Sequence, residues 1–247
     1  MERMVNRRIK QYLEANELLD PRQHAFRQGF GTSTYFAELS NVLQEASDQG
    51  HHAEVISLDI SKAFNRTWTP FVLRQLENWG IGGHTLHFVR NFLSGRSFRV
   101  VVGNTKSSSF AEETGVPQGS VLAVTLFLVA MNGVFDAIQG NIHIFVYADD
   151  ILIVVVGPTP TMTRIRAQAA VKRVAKWASD IGFQLSASKS VRCHICPLGH
   201  KIKGPPITIE GQVIPLRKSI RILGVLLDRT LSFRQHFDAV KAACRTR

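Results

Sequence analysis

The sequence predicts an α+β fold, a central antiparallel sheet backed by helices, and three observations carry the prediction. Asn141 to Tyr147 alternates in character, Ile151 to Val156 is almost wholly β-branched or aliphatic, and two adjacent acids, Asp149 and Asp150, join the two stretches. Val55 to Ile60 reads as a third, buried strand that ends on another acid, Asp59. Around these strands run amphipathic and apolar stretches with helical periodicity. A tight hairpin turn favours Asn-Gly or Asp-Gly, and Tyr147-Ala148-Asp149-Asp150 has neither. The acids therefore read as placed for chemistry.

Composition narrows the class of protein. The 247 residues, 45% of them hydrophobic, suit one large domain or two small ones with a real core. Lys and Arg exceed Asp and Glu for a net charge of +11, a field that attracts polyanions such as nucleic acid. The longest apolar run, Val121 to Met131, is too short to cross a bilayer, so no membrane span is expected. The N-terminus lacks a signal-peptide core and three cysteines cannot all pair, so an intracellular, reducing compartment is expected; nucleus and cytoplasm are not distinguished.

In chain order, residues 2 to 19 form a basic amphipathic helix ended by Asp20-Pro21, and it begins abruptly, as though a segment preceded it. Phe26 to Thr34 is a Gly-rich loop with Arg27 and three hydroxyls before a helix through Leu43, a place where a helix N-terminus could hold phosphate. Helices follow from about Pro70 to Trp79 and from Leu86 to Leu93, then a hairpin around Gly103-Asn104. Gly115 to Ser120 is a tight loop opening an apolar helix from Val121 to about Ile138, and Gln118 can bond a ligand with both ends of its amide. Thr161 to Ile181 is a helix with a Lys/Arg face. The strand beyond Lys189, a hairpin turning at Glu210-Gly211, a last strand from Ile222 to Asp228 and a basic tail complete the reading.

Asp59 and Asp149 are ninety residues apart, so only folding could bring the acids together. Converging carboxylates in a basic protein suit two Mg²⁺ ions spaced for phosphoryl displacement, with substrate phosphate and water completing each shell. At this point the residues carry a resemblance. Phe26-Arg27-Gln28-Gly29, Leu58-Asp59-Ile60-Ser61-Lys62-Ala63-Phe64, Gly115-Val116-Pro117-Gln118-Gly119-Ser120, Tyr147-Ala148-Asp149-Asp150, Trp177 through Lys189, and Leu223-Gly224-Val225-Leu226-Leu227-Asp228 stand in one order. In that order the chain resembles the reverse transcriptase domain of non-LTR (LINE-type) retrotransposons.

The resemblance implies a right-hand polymerase palm with partial fingers. Residues 1–54 would be partial fingers, 55–205 a palm with inserted fingers elements, and 206–247 the primer-grip region and the start of a thumb connection. It implies RNA-directed DNA polymerase activity, adding dNTPs to a primer 3′-OH on an RNA template. Asp59, Asp149 and Asp150 would be the catalytic acids; Asp59, Asp149 and the Ile60 carbonyl would hold two Mg²⁺ ions, or Mn²⁺ in their place. Arg27, Phe64, Gln118, Gly119 and Lys189 would meet the nucleotide, Phe64 by clashing with a ribose 2′-hydroxyl and Lys189 as general acid. Leu223 and Gly224 would grip the primer.

Departures from the family pattern are Asn65, Ala123-Val124 and Gly133, none a metal ligand, while a first fingers segment and a thumb look absent. An alternative is an inactive reverse transcriptase relic that binds nucleic acid. An RNA-directed RNA polymerase is disfavoured by the bulk of Phe64 and by Ala148. Cys193-His194-Ile195-Cys196 with His200 has half a zinc-site spacing, and its apolar context favours incidental cysteines.

Overall fold

Regular structure covers most of the chain, as a computed structural model describing residues 1–138, 140, 142–196 and 205–245 shows. Asn141 and His200, both used above, lie outside these residues. The helices are α1 (Glu2–Ala15), α2 (Thr32–Asp48), α3 (Ala63–Arg66), α4 (Thr69–Asn78), α5 (Gly83–Leu93), α6 (Val121–Met131), α7 (Pro160–Asp180) and α8 (Arg234–Arg245). The strands are β1 (His52–Ile60), β2 (Arg96–Phe98), β3 (Val101–Val102), β4 (Thr105–Lys106), β5 (Phe110–Glu112), β6 (His143–Tyr147), β7 (Asp150–Gly157) and β8 (Leu185–Ile195). Short strands β9 (Thr208–Ile209), β10 (Gln212–Val213), β11 (Leu216–Arg217), β12 (Ser219–Ile222) and β13 (Val225–Asp228) follow.

The chain divides into two compact units. One comprises Met1–Asp20, Ser61–Gly133 and Ser179–Phe183. Its centre is α6, apolar around almost its whole circumference and therefore buried beyond its first turn, with Leu122, Leu126, Phe127 and Met131 sealed from solvent. Helix α1 packs on it through Ile9 and Leu13, and the buried Asn6 Oδ1 accepts a 2.6 Å hydrogen bond from Thr125 Oγ1. Helix α6 stops at Met131, short of the expected Ile138, and a 3₁₀ turn over Asn132–Val134 follows. The Asn132 side chain accepts from the Asp20 amide and donates to the Leu18 carbonyl, so it ties down the end of α1's exit loop instead of prolonging the helix.

The other unit comprises Pro21–Ile60, Val134–Ala178 and Gln184–Arg247. Its five-stranded sheet has the order β11-β8-β1-β7-β6 and is antiparallel except at the edge, where β11 runs parallel to β8. One face carries Ala53, Val55, Phe145, Leu152, Val154 and Cys193 beneath Tyr35, Leu39 and Leu43 of α2. The opposite face carries Ile56, Leu58, Ile151 and Ile153, all fully buried, and also a charge cluster. There Glu54 accepts 2.7 and 2.8 Å hydrogen bonds from Arg192 Nη1 and His194 Nδ1. Arg164 of α7 lies within electrostatic reach of Glu54. The expected strand began at Val55, three residues after β1 does, because the buried acid disguises the pattern.

The expected last strand from Ile222 to Asp228 is instead the hairpin β12–β13, which turns at Leu223-Gly224 with φ of +43° and +91°. Two consecutive left-handed residues suit a tight hairpin turn and cannot lie within a strand. The basic tail is helix α8. Asp228 anchors the loop between them, its carboxylate accepting from the Thr230, Ser232 and Phe233 amides and both nearby hydroxyls. Burial opposes ionisation of that carboxyl, but these hydrogen bonds outweigh it and hold the pKa at about 2. All three cysteines are thiols: Cys193 and Cys196 are buried and Cys244 is exposed. Among the described residues no helix is long and apolar enough to cross a membrane.

Candidate active site

Folding brings the three predicted acids to one end of the sheet. The β1–β7 ladder runs to Leu58 opposite Ile151, so Asp59 and Asp150 are the next residues along, one on each of two neighbouring strands. Strands β6 and β7 close on the pair Tyr147 and Asp150, leaving Ala148 and Asp149 as a two-residue turn. The electrostatics agree with this placement. Burial first, then the charges of Asp149 and Asp59, push the Asp150 carboxyl above the ordinary aspartate range.

Each acid has local support. Strand β8 bulges beside Asp59: Ser57 faces Val191 while Asp59 faces Ser186. Inside the bulge the buried Ser190 accepts from the Asp59 amide through its Oγ (3.1 Å) and donates to the Ser186 carbonyl (2.7 Å). Bulges commonly occur next to active sites, and this one puts the Ser190 hydroxyl on the Asp59 backbone. The turn bearing Asp149 has Ala148 at φ +57°, where glycine is favoured. Residues Arg22 to His24 run alongside β6, with Val146 donating to the Arg22 carbonyl and accepting from the His24 amide. The buried Gln23 side chain reaches the Ala148 backbone. Gln23 and Ser190 were not singled out in the sequence, since neither has a local pattern that points to a partner more than a hundred residues away.

Asp59 Oδ2 is buried and has no hydrogen-bonding partner. A buried carboxylate oxygen left unpaired is costly, and a cation would relieve it. Among the described residues no three His, Cys, Asp or Glu side chains gather closely enough to cage a metal by themselves. That donor set fits Mg²⁺, which binds through one or two protein carboxylates and takes its remaining oxygens from phosphate and water. Ile60 ends β1 and pairs with Leu185, so its backbone lies beside Asp59. A Zn²⁺ site at Cys193 and Cys196 gains no support: both are buried, and burial pushes the Cys193 thiol up to about 12, which keeps it protonated.

The other predicted residues are distributed over both units. In the unit with the acids, Lys189 is exposed within the β8 bulge. Arg27 stacks its guanidinium over Phe30, 4.3 Å from the ring centre. Leu223 and Gly224 form the β12–β13 turn. In the unit built on α6, the Phe64 ring is half-buried and stacks on Phe127 with centroids 4.3 Å apart. Gln118 and Gly119 are exposed on the loop before α6, whose N-cap is Ser120. That loop is bound to the chain around Phe64: Gly115 and Val116 donate to the Thr67 and Phe64 carbonyls, and a Cβ on Gly115 would meet Asn65 O at 2.6 Å. Arg96 braces the same loop through the Thr114 and Gly115 carbonyls, each at 2.7 Å.

Comparison with known proteins places these features. A family model described as reverse transcriptase (RNA-dependent DNA polymerase) matches residues 1–227. The RNA-directed DNA polymerase from mobile element jockey of Drosophila funebris is 29% identical over 254 residues, covering 100% of this chain and 27% of that protein. The Pol polyprotein from type-1 retrotransposable element R2 of Popillia japonica is 26% identical over 267 residues, covering 99% of this chain and 35% of that protein. The chain thus spans about a quarter of the jockey protein's length. Among solved structures, apo telomerase from Candida tropicalis superposes with a TM-score of 0.61 at 12% identity, over 94% of this chain and 45% of that one. Telomerase from Candida albicans, solved with a fragment of telomeric RNA, gives 0.58 at 13% identity, over 92% of this chain and 38% of that one. At these identities the likeness is one of fold, and it agrees with the expected α+β palm.

Proposed function

The chain belongs to the reverse transcriptase (RNA-dependent DNA polymerase) family, and from that premise we propose that it catalyses RNA-directed DNA synthesis for a non-LTR retrotransposon. The observation carrying the proposal is the convergence of Asp59, Asp149 and Asp150 at one end of the sheet, with Asp59 Oδ2 unpartnered. Reverse transcriptases generally use divalent metal ions. Asp59, Asp149 and the Ile60 carbonyl would hold two Mg²⁺ ions, or Mn²⁺ in their place. Such ions, when bound, activate an attacking hydroxyl and stabilise a departing pyrophosphate.

The chain's own residues do the rest. Asp150 adds negative charge beside the two ligating acids. Phe64, fixed by its stack on Phe127, would reject a ribose 2′-hydroxyl by clash, which selects dNTPs over ribonucleotides. Gln118 and Gly119, exposed on a braced loop, would contact the nucleotide base and sugar. Arg27 would contact the triphosphate, and Lys189 would give a proton to the leaving pyrophosphate. Leu223 and Gly224 would position the primer strand, and the net charge of +11 would draw RNA template and DNA primer to the surface.

Primer extension on poly(rA)·oligo(dT) with dTTP and Mg²⁺ tests the proposal. The chain should extend the primer and Asp149→Ala should lower the rate by roughly a hundredfold or more. Binding of the primer–template without extension by either protein would instead establish a nucleic-acid-binding relic.

A further inference from the structure

We propose that Gln23 is a positioning residue that holds the Ala148-Asp149 turn in its left-handed conformation and so sets the direction of the Asp149 carboxylate. The proposal rests on the polymerase reading for its kinetic consequence and on geometry alone for the clamp. Gln23 is 2% exposed. Its Oε1 accepts from the Ala148 amide at 3.2 Å and from the Ala25 amide at 3.1 Å, and its Nε2 donates to the Ala148 carbonyl at 3.4 Å. One amide therefore bonds both backbone polar groups of the residue that precedes Asp149.

That residue is the strained one. Ala148 has φ +57°, a conformation that is unfavourable for a residue with a Cβ. The bonds to Gln23 offset this strain by satisfying both polar groups of Ala148 only while the turn keeps that conformation. The Gln23 backbone cannot drift, because the flanking residues are paired along β6: Val146 donates to Arg22 O at 3.1 Å and accepts from His24 N at 2.9 Å. His24, fully buried, is fixed in turn by Thr34 Oγ1 at 3.0 Å. Only a side chain of this length carrying both a donor and an acceptor satisfies the arrangement. Glutamate would set a carboxylate against the Ala148 carbonyl, and methionine would match the size while losing every bond.

The test uses the 247-residue chain and two readouts. Amide hydrogen exchange at Ala148, followed by NMR, reads the clamp without catalysis. In Gln23→Met it should accelerate about tenfold or more while the Leu152 and Val154 amides keep their rates. Gln23→Asn, one methylene short, serves the same purpose if the methionine variant does not fold. In primer extension, Gln23→Met should lower kcat about tenfold with KM for dTTP within twofold. Adding Ala148→Gly, which removes the conformational cost, should restore kcat to within threefold. Unchanged exchange at Ala148 in both variants overturns the clamp, whatever the activity. Accelerated exchange with unchanged kcat, or a loss of kcat that Ala148→Gly does not relieve, overturns the positioning role. Failure of the unmodified chain to extend a primer would count against the polymerase reading, and the exchange measurement would still decide the clamp.

Discussion

Asp150 is destabilised in place: burial and the two neighbouring aspartates raise its carboxyl above the ordinary range. Such a group stabilises the fold while protonated, at pH below its unfolded pKa near 3.9, and that contribution is lost as pH rises through the elevated folded value. At neutral pH the acid cluster therefore works against the fold that holds it. Asp150→Asn should raise Tm in metal-free buffer at pH 7 by roughly 1 to 2 °C, a small gain because the residue, although its carboxyl is partly desolvated, keeps an edge open to solvent that screens the repulsion. The gain should disappear below pH 4. Thermal scans at the two pH values check both parts, and a fall in Tm at pH 7 would contradict the repulsion. These acids were legible in the sequence because apolar strand residues flank them, which is an expensive setting for a carboxylate. Gln23 and Ser190 were not, since a buried amide or hydroxyl reveals its task only when the strand beside it is known.

Strand β1 carries the proposed metal-binding acid Asp59 on one side and a structural charge on the other. Glu54 points to the face opposite Asp59, where Arg192 at 2.7 Å and His194 at 2.8 Å enclose it at 0% exposure. Burial alone would raise the Glu54 carboxyl, but these partners outweigh it and hold it below the ordinary glutamate range. Its stabilising contribution is thus present above the unfolded pKa near 4.3 and lost as pH falls through the depressed folded value. Breaking a buried pair strands the remaining charge, so Glu54→Ala should cost about 3 to 5 kcal/mol, a fall in Tm of roughly 10 °C. Differential scanning calorimetry reads this, and a change under 2 °C would show that solvent reaches the cluster. Element by element, the hairpins at Gly103-Asn104 and Glu210-Gly211 and the helices α4, α5 and α7 follow from local sequence. The break between β12 and β13 was hidden because Ile222 to Asp228 is apolar almost throughout, so hydrophobicity outvoted the glycine. The length of α6 was overestimated for a similar reason: Asn132 ends it through bonds to a loop more than a hundred residues earlier.

At the scale of the whole molecule the excess of positive charge is the property most open to measurement. If it engages six phosphates of a primer–template, affinity should fall roughly 10³-fold between 50 and 200 mM salt. Fluorescence anisotropy across that range checks it, and a fall of less than tenfold would mean that the net charge of +11 is not what holds the duplex. The α+β class was legible because the strand-like and helix-like periodicities separate cleanly along the chain. The parallel edge strand β11 was not, because two residues carry no periodicity at all. The cysteines have a practical consequence. Cys193 and Cys196 are sealed in the interior, and Cys244 stands exposed on α8. A maleimide dye applied at neutral pH should therefore attach at a single address, giving a one-colour reporter on the last helix without any engineered mutation.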